Sequence, residues 1–346
     1  MPDEKIEAFN RREFLKATLI AVGSTGLLPL SGFENAKVFG ADPQILVRLA
    51  HSLVATDPQH VALVSMADKV RERTHGNFNI QVVPAGQLGA EIDAAESTAL
   101  GAIEATVVSP AGLGTFQPQF AIFSHPYLWK DWDEASKVLH GPFVRDMEDQ
   151  LIAGKGLQVL DYWYFGWRHV FTRNKPINQL ADMKGLKIRV SKNRMFTETF
   201  KALGANPTPM DWPEVYQGLQ QGVVDGAEAP LPSLYASKLY EVTKHLALTY
   251  HMLQANILLV NHHWFTGLPE AYQKILKEEA LKGGEYMREL TQKEEQEYTT
   301  ELKEAGMLFT EPKLDEFRQA TAEVYKAFEK TWGADLYPKL QAAKGA

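Results

Sequence analysis

Two arginines stand beside apolar or aromatic neighbours in the middle of the chain, in Gly166-Trp167-Arg168-His169 and in Gly185-Leu186-Lys187-Ile188-Arg189-Val190. A guanidinium is a planar fork of N–H donors that matches a carboxylate through two parallel bonds, and burial does not readily remove its charge. Two of them near a cleft would make a carboxylate clamp. Strand alternation offers a competing reading, with Lys187 and Arg189 on one wet face, and the local pattern leaves both open. Other chemistry is thin. The chain has no cysteine, which removes disulfides, thiolate metal sites, cysteine nucleophiles, iron–sulfur clusters and an acylated-cysteine anchor. It also lacks a zinc-type His-Glu-x-x-His pair, a Walker A loop, a Gly-x-Ser-x-Gly elbow and an EF-hand loop. Gly112-Leu113-Gly114 begins like a dinucleotide fingerprint but the third glycine is missing. His262 and His263 are adjacent and so point apart, while His125-Pro126 and His140-Gly141 read as turns. No nucleophile meets a base, so neither catalysis, nor a metal, nor a cofactor is expected.

The elements that must carry the arginines read as an α/β chain, because short β-type runs alternate with helical patterns throughout. Strands are predicted at 45–50, 79–83 and 105–108, with helices over 58–74 and 89–101 between them and a small-residue loop at 109–114. This βαβαβ start predicts a parallel sheet with a site at the carboxyl ends of its strands. A helix over 132–153 leads to a strand at 157–163, and Arg189 lies on a strand at 187–190. Helix 194–203, the Pro-punctuated segment 206–210 and a helix from Pro213 to about Gly222 follow. An apolar strand at 255–260 returns before a long charged helix from Pro269 to about Ala305.

Composition fits an ordinary globular protein, 45% hydrophobic and 23% charged. The net charge of −7, from 36 basic and 43 acidic side chains, argues against a nucleic-acid binder. Residues 1–41 read as an export leader: Asn10-Arg11-Arg12-Glu13-Phe14-Leu15-Lys16 resembles the twin-arginine motif, with Asn10 where Ser or Thr is usual. The apolar stretch that follows is short and broken by Gly23, Gly26 and Pro29, too short to span a bilayer comfortably. The expectation is a periplasmic protein without a membrane anchor.

The segment Lys184-Gly185-Leu186-Lys187-Ile188-Arg189-Val190, then Phe200 to Met210, then Glu214-Val215-Tyr216-Gln217-Gly218-Leu219-Gln220-Gln221-Gly222-Val223-Val224-Asp225-Gly226-Ala227-Glu228, closely resembles the DctP-like solute-binding proteins of TRAP transporters. Pro84-Ala85-Gly86-Gln87-Leu88-Gly89 and Pro126-Tyr127-Leu128-Trp129 are similar to the family as well. The resemblance implies a two-lobed α/β periplasmic binding protein fold, with hinge strands crossing between lobes and a long helix spanning both. Lobe I is expected over 42–165 plus 254–293, and lobe II over 166–253 plus 294–346. It further implies a monomeric receptor that closes on a carboxylate and delivers it to TRAP membrane permease subunits.

In that resemblance Arg189 matches the family's main carboxylate-binding arginine and Arg168 a second one that assists. Trp212 matches an aromatic lining position, with core packing as its competing reading, and His51 a position that often reaches the ligand. Glu91 and Ser109 sit at strand–helix turns, where they either contact ligand or cap loops. Glu228 and Tyr216 belong to the motif, in a binding or a structural role. Where many relatives carry an Asn after the Asp-Gly-x-Glu run, this chain has Ala229, so that hydrogen bond is missing or comes from Asn193 or Ser191. Together with Trp212 and the run Tyr162-Trp163-Tyr164-Phe165, this leans towards a monocarboxylate with an apolar or aromatic body, C4-dicarboxylates and sugar acids remaining open. A sensory receptor, or an exported enzyme acting on organic acids, are the alternatives to transport.

Overall fold

The computed structural model describes residues 44–345; the leader read from residues 1–41 lies outside them. β1 (Ile45–Ala50), α1 (Pro58–Arg73), β2 (Phe78–Val83), α2 (Glu91–Ala99) and β3 (Ala105–Val108) form the expected βαβαβ unit. β1 pairs in parallel with both β2 and β3, so all three carboxyl ends point to one edge. α1 begins cleanly because Pro58 needs no N–H in the first turn and the Asp57 carboxylate accepts from the Gln59 N–H at 2.9 Å.

Two local expectations change. Residues 109–114 form a single helical turn, α3 (Pro110–Leu113), capped by Ser109 Oγ, which accepts from the Gly112 N–H at 3.0 Å. The helix expected over 132–153 is two, α4 (Trp132–Leu139) and α5 (Arg145–Lys155). Gly141-Pro142 interrupts the backbone ladder between them, since proline has no N–H to give.

β4 (Leu157–Thr172) then runs 16 residues, well past the predicted 157–163. After it come β5 (Lys187–Val190), α6 (Arg194–Ala202), β6 (Asn206–Pro209), α7 (Val215–Gln220), β7 (Gly226–Pro230) and α8 (Leu231–Ala236). β8 (His245–Asn261) is again longer than predicted, at 17 residues. Both strands read as short because Arg168, His169, His251 and Gln254 break the apolar runs; the fold buries all four. α9 (His262–Thr266), α10 (Glu270–Glu304) and β9 (Leu308–Thr310) follow, with short helices to residue 345.

The strands make one sheet in the order β2-β1-β3-β8-β4-β7-β5-β6, with β9 beside the start of β8. It is mixed rather than parallel: β3/β8, β8/β4 and β4/β7 are antiparallel, while β5 is parallel to β6 and β7. β4 and β8 therefore join two α/β halves, with register shifts along their pairing at 159/161, 164/166 and 168/170. Such bulges bend a strand locally.

The 35-residue α10 packs on α1 in one half, along β4, and on α8 in the other. Close approach to β4 requires Gly283-Gly284: a Cβ on either would lie within 2.7–2.9 Å of the Trp163 ring. Trp163 is fully buried there and donates its indole N–H to the Ala280 carbonyl at 3.1 Å. Val47, Leu49, Leu63, Met66 and Leu258 complete the core around it. A separate cluster of Phe171, Leu219, Ala227, Leu234 and Leu246 fills the region under β7.

Candidate functional site

A cleft of about 690 Å³, part of it open to solvent, lies where the two halves face each other. One wall comes from the first half (Leu53, Gln59, Glu91, Val107, Ser109) and the other from the second (Arg189, Ser191, Met210, Trp212, Ser233). Arg168, Gln254 and Asn256, on the joining strands, line it as well.

Arg189 is 2% exposed although its strand neighbour Lys187 is exposed, so the two do not share a wet face. Its Nε and Nη2 both donate to the Met210 carbonyl, at 2.9 and 2.7 Å, which uses one long side of the fork. Nη1 is buried without any partner among the described residues. The remaining N–H groups at the tip of the guanidinium are those a carboxylate accepts in a bidentate pair. Trp212 lies 5.2 Å from the guanidinium carbon, a distance that suits cation–π attraction. Burial draws the Arg189 pKa down to about 10, with Glu228 opposing and Arg168 adding to the shift. At neutral pH it remains a cation.

Arg168 is differently placed. Its Nε and Nη2 donate to the two Glu228 carboxylate oxygens at 2.5 and 2.7 Å, Nη2 also to the Glu228 carbonyl at 2.9 Å, and Nη1 to Gln254 Oε1 at 2.7 Å. Five N–H groups minus these leaves little of the fork for a ligand. Glu228 is fully buried; burial would raise its carboxyl, but Arg168 and His251 hold it below the usual carboxylate range. His251, 3.3 Å from Glu228, donates its ring N–H to that carboxylate; burial pushes its pKa down, with Glu228 opposing.

Of the residues expected at the site, Arg189, Arg168, Trp212, Glu91 and Ser109 line the cleft. Glu91 Oε1 accepts from the Ser109 N–H at 2.5 Å. Glycine is needed at 112, where a Cβ would come within 2.7 Å of that carboxylate. The structure places the other three elsewhere. Glu228 stands behind Arg168 rather than at the surface of the cleft. His51 is buried and turned to His60, with ring nitrogens 2.9 Å apart. Tyr216, on α7, bonds Glu241 through its hydroxyl at 2.8 Å, outside the cleft. Ala229 lines the cleft and so does Ser191, whereas Asn193 caps α6 by accepting from the Phe196 N–H at 2.9 Å. Of the aromatic run 162–165 only Phe165 reaches the cleft. Tyr162 bonds Glu148, and Tyr164 bonds Glu295.

Sequence reasoning missed Gln59, Gln254, Asn256 and Ser233. Gln254 and Asn256 left a signal: two amides spaced by two, beside the apolar run Ile257–Val260, share one face, and buried amides need partners. Gln59 and Ser233 sit on helix starts and carry no such mark. Ser233 Oγ donates to Asp57 Oδ2 at 2.7 Å, joining the start of α1 to α8 across the halves. Among the described residues no group of His, Cys, Asp and Glu is arranged to hold a metal, and no helix is long and apolar enough to cross a membrane.

Residues 49–331 match the family described as bacterial extracellular solute-binding protein, family 7. The chain is 34% identical over 261 residues to the 2,3-diketo-L-gulonate-binding periplasmic protein YiaO of Escherichia coli, covering 75% of this chain and 79% of that protein. A TRAP periplasmic solute-binding protein of Polaromonas sp. JS666, solved with D-erythronate, superposes with a TM-score of 0.82 at 32% identity, over 86% of this chain and 99% of that one. The sugar acid binding protein DctPAm of Advenella mimigardefordensis, solved with galactonate, gives 0.84 at 28% identity, over 88% and 98%. This chain belongs to the DctP-like family of TRAP solute-binding proteins, with their two-lobed fold.

Proposed function

We propose that the protein is a periplasmic receptor that captures a hydroxylated monocarboxylate of the sugar-acid type in the cleft and hands it to TRAP membrane permease subunits, without turning it over. One observation carries this reading: a buried Arg189 whose guanidinium Nη1 has no partner among the described residues and which lines the cleft. The solute carboxylate takes the two open N–H groups, and Trp212 covers the cation. Gln59, Ser109, Gln254 and Asn256 also line the cleft; these amides and a hydroxyl suit a polyhydroxylated body, and the ligands of the related proteins point the same way. The lobes divide near 165/166, 253/254 and 293/294, within β4, β8 and α10, so closure bends these elements where the β4 register shifts. A solute touching both halves favours the closed form by its extra contacts there.

A melting-temperature screen tests this, because a ligand bound only to the folded state raises the midpoint. Aldonates such as erythronate and galactonate are expected to raise it at millimolar concentration, and the matching sugar alcohols are not. Equal shifts from the neutral alcohols would refute the carboxylate assignment.

A further inference from the structure

Four buried side chains form a one-way hydrogen-bond chain along the cleft wall. Arg168 Nη1 donates to Gln254 Oε1 at 2.7 Å; Gln254 Nε2 donates to Asn256 Oδ1 at 2.6 Å; Asn256 Nδ2 donates to Gln59 Oε1 at 2.5 Å. None of the four is more than 6% exposed, and all line the cleft. The direction of the chain is forced from one end. A guanidinium has five N–H groups and no acceptor, so Gln254 can offer it only oxygen. Its NH2 is then left for Asn256, which must present oxygen in return, and the same logic turns Gln59. Flipping any single amide would set donor against donor or oxygen against oxygen in a buried place, where an unmade bond is expensive. Arg168 is itself held by Glu228 on its other side, so the start of the chain cannot rotate away.

The chain ends at Gln59: its Oε1 is taken by Asn256, no hydrogen bond is recorded for its Nε2 among the described residues, and its side chain lines the cleft. We propose that Gln59 Nε2 is a donor subsite for an oxygen of the bound solute other than its carboxylate, and that Arg168 sets this polarity at a distance through Gln254 and Asn256. This rests on the reading that the carboxylate lies at Arg189. Arg168 thus contributes to recognition by fixing which atom Gln59 shows. The solute class that follows is an acid carrying a hydroxyl or keto oxygen opposite Gln59. An acid with a bare methylene there leaves the Gln59 NH2 desolvated and unpaired, and is rejected for that reason. Gln254 and Asn256 are positioning residues in this scheme.

The test is a set of calorimetric titrations with galactonate and erythronate, and with the monodeoxy analogues of each, against the wild-type protein, Gln59→Leu and Asn256→Asp. Gln59→Leu deletes the donor. Asn256→Asp is isosteric but has no N–H to give, so Gln59 must reverse and show its oxygen instead. The wild type is expected to bind one monodeoxy analogue at least about tenfold more weakly than its parent. In both variants that ratio is expected to fall to within about twofold, while the ratios at other positions stay as they were. Loss of overall affinity alone would be a structural effect; the position-specific ratio is not. Should Gln59→Leu fold poorly, Asn256→Asp carries the comparison. Unchanged ratios at every position in the variants would overturn the proposal while leaving the receptor reading intact. A wild type that binds no hydroxy acid would sink the receptor reading, and this proposal with it.

Discussion

Replacing Asp57 by Asn is expected to stabilise the protein at neutral pH, although the residue caps a helix. Asp57 is 1% exposed, accepts from the Gln59 N–H at 2.9 Å and from Ser233 Oγ at 2.7 Å. Burial pushes its pKa from 3.8 up to about 6, with Ser233 and the Gln59 N–H opposing. A raised carboxyl pKa means the folded state prefers the protonated form, so its contribution is fully present below the unfolded value near 4 and is lost as pH climbs through 6. At pH 7 and above the folded protein therefore carries a penalty of about 3 kcal/mol for the buried charge. Asn keeps an oxygen for the cap, at which it is equivalent to Asp, and the Ser233 hydroxyl can turn to accept from its NH2. Urea unfolding at pH 7.5 is expected to show Asp57→Asn more stable by about 1–3 kcal/mol, with the gain shrinking towards zero at pH 4. The same change should lower the nearby Glu294, which burial and the Asp57 charge push up to about 7. A variant uniformly less stable from pH 4 to 8 would refute this reasoning and make the charge a net stabiliser of the α1–α8 contact.

Glu228→Gln leaves the buried Arg168 cation without its carboxylate, and chemical denaturation should register a loss of about 3–5 kcal/mol; a change under 1 kcal/mol would mean the pair is not the clamp described. Gly284→Val forces a branched side chain against the Trp163 indole and should cost at least about 1–3 kcal/mol in thermal unfolding, with the Trp fluorescence maximum moving to the red as the ring is displaced. Trp212→Ala removes the aromatic face over Arg189 and part of the cleft wall. Calorimetry is expected to show a roughly 3- to 30-fold loss of affinity for aldonates, with most of it remaining if Trp212→Phe is used.

Much of this fold was legible because its elements are strongly patterned. β1 and the 35-residue α10 appear at or within one residue of their predicted limits, and the resemblance around residues 184–228 supplied the two-lobed architecture. What escaped was length and direction in the joining strands. Polar residues inside β4 and β8 read as strand ends, whereas the fold buries them as the Arg168–Glu228–His251 cluster and the amide chain to Gln59. Alternation between Lys187 and Arg189 failed for a related reason: the end of β5 turns Arg189 into the cleft, where Met210 and Trp212 hold it. Within the site, Arg189 at the end of β5 was accessible from the motif, and Ser109 and Glu91 from their place at the strand–helix turns after β3 and before α2. Gln59 and Ser233 come from helices of opposite halves, and only tertiary approach brings them to the same cavity. The aromatic run gave little guide to the ligand, since three of the four rings at 162–165 are spent on α5, α10 and the core.

The open tip of Arg189 is proposed as the carboxylate receptor. Titrating the wild type and Arg189→Ala with the same aldonate, with circular dichroism to establish that both are folded, tests it most directly. Deleting one side of a desolvated charge pair is expected to cost about 3–5 kcal/mol, a fall in affinity of roughly two to four orders of magnitude. Arg189→Lys should recover only part of it, because a compact ammonium lacks the planar fork that pairs both carboxylate oxygens while its other side holds the Met210 carbonyl. A well-folded Arg189→Ala protein that binds the aldonate within threefold of the wild type would contradict the account.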